Sequence, residues 1–126
     1  QAGPLCSGKE MVAQSRWIVV GRGTNEIVQR LLRHLEQSRR EVHHVDPSGA
    51  TDGAPRSIAE LPEDVTADVV DFCANPARYG AQAVKDCKER GIANLWLQPG
   101  AGSGELEAQC REAGISFHNG CVLVEM

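Results

Sequence analysis

The segment Gly21-Arg22-Gly23-Thr24-Asn25 brings two glycines, a cation and two side chains able to cap a helix into five consecutive positions. Glycines at 21 and 23 let a backbone approach a phosphate closely. A helix opening after Asn25 would turn unpaired N–H groups and the positive end of its dipole towards that phosphate, and Arg22 would add a full charge. A tight strand-to-helix turn needs glycine on its own account, so a phosphate cradle and a plain turn stand side by side as readings. The third glycine of the dinucleotide fingerprint GxGxxG is missing, and Glu26 stands in its place. Asp46 lies 25 residues after Gly21, where a dinucleotide-binding domain places the acid that holds the ribose hydroxyls. Preceding Pro47, it is equally suited to start a turn.

Covalent and acid–base chemistry find less to work with. Cys121 and His118 are three residues apart, and a strand would point them to opposite faces, so a Cys–His pair needs the turn that Asn119-Gly120 can supply. An isolated cysteine is more commonly a small buried hydrophobe. Cys87 and Cys110 fall on apolar helix faces and read as core, whereas Cys73 ends a strand. His43 and His44 are adjacent, so a strand would aim their rings apart, one exposed and one half-buried. Glu63, Asp64, Asp68 and Asp71 carry no motif and read as a solvated acidic edge. No GxSxG, HExxH or P-loop signature occurs, and no Cys/His cluster has zinc spacing. The expectation is therefore a protein without catalytic residues or metal.

These residues must be positioned by an alternation of short apolar runs and amphipathic segments. Trp17-Ile18-Val19-Val20-Gly21 reads as a strand buried on both faces. Ile27, Val28, Leu31, Leu32 and Leu35 form one helical stripe over 26–38, capped by Thr24 or Asn25. Further strands are predicted at 42–46, 68–73, 94–97 and 115–118, with a possible short sixth over Cys121 to Val124. One helical turn is predicted around Ser57 to Leu61. A helix entered through Asn75-Pro76 runs to about Arg90 and is closed by Gly91. Another spans Glu105 to Ala113 and is closed by Gly114, and Lys9 to Gln14 forms a leading helix. Strands recurring every 20–26 residues or so fit right-handed βα units, giving a three-layer α/β domain with a mainly parallel sheet of five or six strands.

In such a sheet ligands bind beyond the carboxyl ends of the strands, where strand order reverses. That selects Gly21 to Asn25, then Asp46, Pro47 and Ser48, then Cys73, Ala74, Asn75 and Pro76, then Gln98, Pro99 and Gly100, and lastly Asn119 to Cys121.

Composition narrows the class of partner. The chain has 126 residues, 41% hydrophobic and 24% charged, enough for one core in a single domain over 1–126, with 1–10 as a flexible lead-in. Thirteen basic against 17 acidic residues give a net charge of −4, and aromatics are only 4%. An acidic, aromatic-poor chain does not suit nucleic acid. No apolar run has the roughly 20 residues of a membrane span, and 1–10 has no signal-peptide core. Five cysteines without a CxxC pair fit reduced thiols, no structural disulfide and a cytoplasmic setting. A monomer or homodimer is expected, with an edge strand near the C-terminus available for pairing.

Trp17 to Gly21, Val45 to Pro47, Ser57 to Pro62 with Ala67 to Asp71, Asn94 to Gly100 and Ala113 to Leu123, taken together and in this order, resemble the stand-alone CoA-binding protein family, which is related to the N-terminal CoA-binding domain of the succinyl-CoA synthetase alpha subunit. Trp17 to Gly21 looks like its first strand and glycine turn, and Val45-Asp46-Pro47 like its Val-Asn-Pro. Ser57 to Pro62 followed by Ala67 to Asp71 resembles its Leu-Pro and Val-Asp-Val-Val-Asp elements. Asn94-Leu95-Trp96-Leu97-Gln98-Pro99-Gly100 is similar to its Trp-Leu-Gln-x-Gly, and Ala113 to Leu123 to its closing strand and Cys-Leu.

The resemblance implies a Rossmann-like domain with coenzyme A over the strand ends. It assigns Gly21, Arg22, Gly23, Thr24 and Asn25 to the pyrophosphate. Asp46, Pro47, Cys73, Ala74, Asn75 and Pro76 go to the nucleoside side, and Gln98 and Gly100 to the far wall. It makes the chain a small non-catalytic CoA or acyl-CoA binder. An NAD(H)-type redox or sensor domain and an interaction domain with an empty cleft are the alternatives. Two features differ from the family pattern: the first loop is shorter, and Asp46 and Ser48 flank Pro47 where the family has Asn and often Lys. Losing a cation beside a phosphate weakens binding by roughly 1–3 kcal/mol where the contact is direct, and Arg56 and Arg78 are candidates to replace it.

Overall fold

In a computed structural model, which describes residues 2–126, strands and helices alternate along the chain except over 46–68, where a single 3₁₀ turn stands in for a helix. A short helix α1 (Gly8–Val12) precedes β1 (Arg16–Gly21), α2 (Glu26–Gln37), β2 (Glu41–Val45) and β3 (Val69–Cys73). Then come α3 (Ala81–Arg90), β4 (Asn94–Leu97), α4 (Gly104–Ala113), β5 (Ser116–Asn119) and α5 (Val122–Glu125). The five strands pair in parallel in the order β2-β1-β3-β4-β5, a three-layer α/β, Rossmann-like fold. Each lies within one residue of its predicted bounds.

The sheet forms because the interiors of its central strands are apolar, with Asp71 of β3 the exception. Trp17, Ile18, Val19 and Val20 are all buried, and alternation deals them to two cores. Ile18, Val20, Val70, Phe72, Leu95 and Leu97 face α3 and α4, meeting Val84, Cys87, Leu106 and Cys110. Trp17, Val19, Val69 and Trp96 face the other way, meeting Met11 of α1, Val28, Leu31 and Leu35 of α2, and Val122 of α5. Gly91 and Gly114 close α3 and α4 with φ of 74° and 72°, the left-handed cap that glycine adopts without strain. The expected turn near Ser57 is a 3₁₀ turn, Ile58–Glu60. The segment after Asn75 opens as a π-type turn, Pro76–Gly80, before continuing as α3.

Three expectations change. Residues 121–124 form no sixth strand. The Gly120 amide donates to Leu97 O at 3.1 Å, ending the ladder. The Val122 amide then donates to the Gln98 side chain at 3.0 Å, which turns the chain into α5 over the sheet face that carries Trp17 and Trp96. The acids before and within β3 are not one solvated edge. Glu63 and Asp64 are exposed, but Asp68 is buried, accepting from the Ala2 and Arg16 amides at 2.9 and 3.1 Å. Asp71 is wholly buried between Val19 and Trp96, and neither carboxyl oxygen has a hydrogen-bond partner among the described residues. Desolvation pushes its pKa well above the usual carboxylate range. Finally, both His43 and His44 are half-buried. His44 Nε2 lies 2.8 Å from Gly21 O, and His43 lies 3.4 Å from the Glu41 carboxylate.

The lead-in runs across the opposite end of the sheet, where the Asn94 side chain bonds the Leu5 amide at 2.8 Å and Gly3 O at 3.0 Å. Gln1, the first residue of that lead-in, lies outside the described residues.

Candidate functional site

Strand order reverses between β1 and β3, so the loops after these two strands diverge and leave a crevice at their carboxyl ends. The loops after β2 and β4 complete its walls. The crevice is a cleft of about 430 Å³, the size of a small-molecule site. Ten of the residues selected from the sequence line it: Arg22 and Asn25 from the first loop, Pro47 and Ser48 from the second, Cys73, Ala74, Asn75 and Pro76 from the third, and Pro99 and Gly100 from the fourth. Arg78, named above only as a substitute cation, lines it as well, with Tyr79 and Ala101, which were not among the selected residues. Tyr79 follows from the helical turn after Pro76, which presents residues three and four positions on to the same side.

Gly21, Gly23, Thr24, Asp46 and Gln98 do not line the cleft, and for four of them the structure shows other work. A Cβ on Gly21 would stand 2.5 Å from Val28 Cγ2 and 2.7 Å from Cys73 O, so this glycine lets α2 approach the sheet. A Cβ on Gly23 would stand 1.9 Å from Thr51 Oγ1. Asp46 is fully buried and ties two loops together. One oxygen accepts from the Gly23 amide at 3.0 Å and the Thr51 hydroxyl at 2.6 Å, and the other from the Ser48 amide and hydroxyl at 2.9 and 2.5 Å. Burial favours the neutral acid, but these four bonds outweigh it and hold the carboxyl below the usual carboxylate range. Gln98 is buried and holds α5, accepting from the Val122 amide and donating to Cys121 Sγ at 3.5 Å.

The helix starts at the cleft are capped from within. Asn25 Oδ1 accepts from the Ile27 and Val28 amides at 2.8 and 3.4 Å. Asn75 Oδ1 accepts from the Ala77 and Arg78 amides at 2.9 and 3.2 Å. With the Gly23 amide given to Asp46, the expected cradle of free N–H groups is largely committed. Positive charge remains. Among the described residues the guanidinium of Arg22 has no hydrogen-bond or ion-pair partner, and that of Arg78 has only the Tyr79 ring, 5.4 Å from its centroid. Among the described residues no carboxylate lines the cleft.

The thiols form no nucleophilic pair. His118 Nε2 bonds the Glu125 carboxylate at 2.9 Å, and its ring centroid lies 4.6 Å from that of Trp96, while Cys121 faces Gln98. Cys73, on the cleft wall, is pushed up to about 11 by burial and, secondarily, by Asp71 and Cys121. Such a thiol is almost wholly protonated at neutral pH and is a poor nucleophile. Cys87 and Cys110 are buried core, as their spacing predicts. No group of three or more metal-ligating side chains converges among the described residues, and no helix among them is long and apolar enough to cross a membrane.

A family described as "CoA binding domain" matches residues 15–126. The chain belongs to that family. Its geometry agrees with solved structures of similar proteins. A conserved hypothetical protein from Pyrococcus furiosus is 32% identical with a TM-score of 0.69, over 88% of this chain and 99% of that one. A hypothetical protein from Pyrococcus horikoshii OT3 is 18% identical with a TM-score of 0.77, over 99% and 94%. A protein from Thermus thermophilus is 24% identical with a TM-score of 0.73, over 93% and 92%. No curated protein matches the chain significantly.

Proposed function

We propose that the chain is a non-catalytic module that binds coenzyme A or an acyl-CoA in the cleft between the β1 and β3 loops. One observation supports this beyond the family. In a chain of net charge −4, the cleft is lined by two arginines without acidic partners and by no acid. Unpaired cations held beside two helix starts attract a pyrophosphate. The NAD(H) alternative drew on Asp46 as a ribose acceptor, and both oxygens of that carboxylate are already engaged. The cleft offers no activated nucleophile, since its thiol is held protonated, which favours binding without turnover.

Calorimetry with CoA, acetyl-CoA, ADP and NADH tests the reading. CoA and acetyl-CoA are expected to bind alike and more tightly than NADH. Arg22→Ala and Arg78→Ala should each weaken CoA by roughly 1–2 kcal/mol. CoA affinity that is unchanged in both variants would place the ligand elsewhere.

A further inference from the structure

Asp46 occupies the seat at the end of β2 from which an acid usually grips unmodified ribose hydroxyls, but it is buried and turned inward onto Gly23, Ser48 and Thr51. In folds of this kind the alternative device is an arginine near that seat, which accepts a phosphate carried on the ribose. Arg56 is placed to be that arginine. It returns from the far side of the 47–54 loop, and its guanidinium lies against Gly49, where an added Cβ would come within 2.8 Å of Cζ. It lines a side cavity of about 100 Å³ that shares Pro47 and Tyr79 with the main cleft. Arg56 is exposed, and among the described residues its guanidinium has no hydrogen-bond or ion-pair partner. The residue after Pro47 is Ser48, which carries no charge of its own to the same spot.

We infer that Arg56 makes the cleft selective for nucleotides bearing a phosphomonoester on the ribose. This rests on the nucleotide-binding reading of the cleft. A ribose phosphate carries nearly two negative charges at neutral pH and suits a forked guanidinium. The pyrophosphate, common to phosphorylated and unphosphorylated ligands, falls to Arg22 and Arg78 on the other loops.

The test is calorimetry with two ligand pairs that differ by that one phosphate, CoA against dephospho-CoA and NADP⁺ against NAD⁺. Wild type should prefer CoA over dephospho-CoA by about tenfold, which is about 1.4 kcal/mol. R56Q should bind dephospho-CoA as wild type does and lose the preference, and R56K should keep part of it. R22Q should weaken both members of each pair alike. A parallel loss for NADP⁺ over NAD⁺ in R56Q extends the selectivity to the 2′ position. Equal wild-type affinity for CoA and dephospho-CoA, or a preference that survives in R56Q, overturns the role of Arg56 and leaves the cleft reading standing. Wild type that binds none of the four ligands overturns both. Because Arg56 is exposed and unbonded, circular dichroism of R56Q should match wild type.

Discussion

Replacing Asp46 by Asn separates two roles for this carboxylate. As the structure has it, Asp46 is a strut between the loops after β1 and β2, with two donors on each oxygen. An amide keeps one accepting oxygen and turns an NH₂ towards the other pair. The hydroxyls of Ser48 and Thr51 can rotate and accept from it, but whichever way the amide is placed, the Gly23 or the Ser48 N–H faces another donor. An orphaned buried N–H costs about 1–3 kcal/mol, and the remaining bonds fall from charge-assisted to neutral strength. The sum is about 3 kcal/mol, well above the effect of a surface turn residue, which stays within about 0.5 kcal/mol.

The pH dependence follows from the direction of the shift. The folded-state pKa is lowered, so the contribution of Asp46 is present above the unfolded value near 3.9 and fades as pH falls below it. Urea unfolding of wild type and Asp46→Asn should therefore show a constant gap of about 3 kcal/mol from about pH 8 to pH 5 that closes below about pH 4. Calorimetry on the same samples should show every nucleotide weakened, since both tethered loops wall the cleft. A variant of unchanged stability that loses NAD(H) alone would refute the strut and restore Asp46 as a ribose ligand.

Two further perturbations test neighbouring inferences. Gly23→Ala should destabilise by about 2 kcal/mol through overpacking against Thr51, and part of this should return in a Thr51→Ala background. Additive unfolding energies in that double-mutant cycle would show that the two residues do not compete for space. Asp71 works with the opposite sign to Asp46. Its folded pKa is raised, so its contribution is whole below about pH 4 and declines as pH rises towards the folded value. Asp71→Asn should therefore gain on wild type with a slope approaching about 1.4 kcal/mol per pH unit as pH rises above the unfolded value near 3.9, and a pH-independent difference in urea unfolding would exclude a buried neutral acid.

The elements were legible because burial and periodicity coincide. Trp17 to Val20 and Asn94 to Leu97 are apolar runs that only a strand covered on both faces can use, and Val28, Leu31 and Leu35 repeat at helical spacing. Asn75-Pro76 and Gly91 marked a helix start and stop through local chemistry. The segment Cys121 to Val124 misled because a short apolar run has the same pattern in an edge strand and in one covering turn. The choice is made by Gln98, which is distant in sequence and receives the Val122 amide. Asp71 misled because sequence gives charge without depth, and a carboxyl within a parallel β3 is buried by both neighbours. The site was legible to the level of its loops. Arg78 had a known sequence position, but its side of the cleft depends on the π-type turn Pro76–Gly80. The partners of Asp46 were hidden because Ser48 and Thr51 are polar residues in a loop whose path no periodicity describes.

Glycine explains the most consequential difference between the two readings of the first loop. In the sequence Gly21 and Gly23 fit either a path cleared for a phosphate or a plain turn, and the atoms they clear are Val28, Cys73 and Thr51 of the protein itself. The same closeness lets the Gly23 amide reach Asp46 and seats Asn25 where it takes the first amides of α2. The loop is thus rigid and self-satisfied before any ligand arrives. Its attraction for an anion passes from backbone amides, fixed in direction, to arginine side chains that extend from a stiff rim. A rim of that kind needs no ligand to fold, because its buried donors already have acceptors. It reads charge first and shape second, so selectivity among phosphorylated ligands must come from where the guanidinium groups stand. Arg22 and Arg78 stand over the switch point, and Arg56 stands at the end of β2.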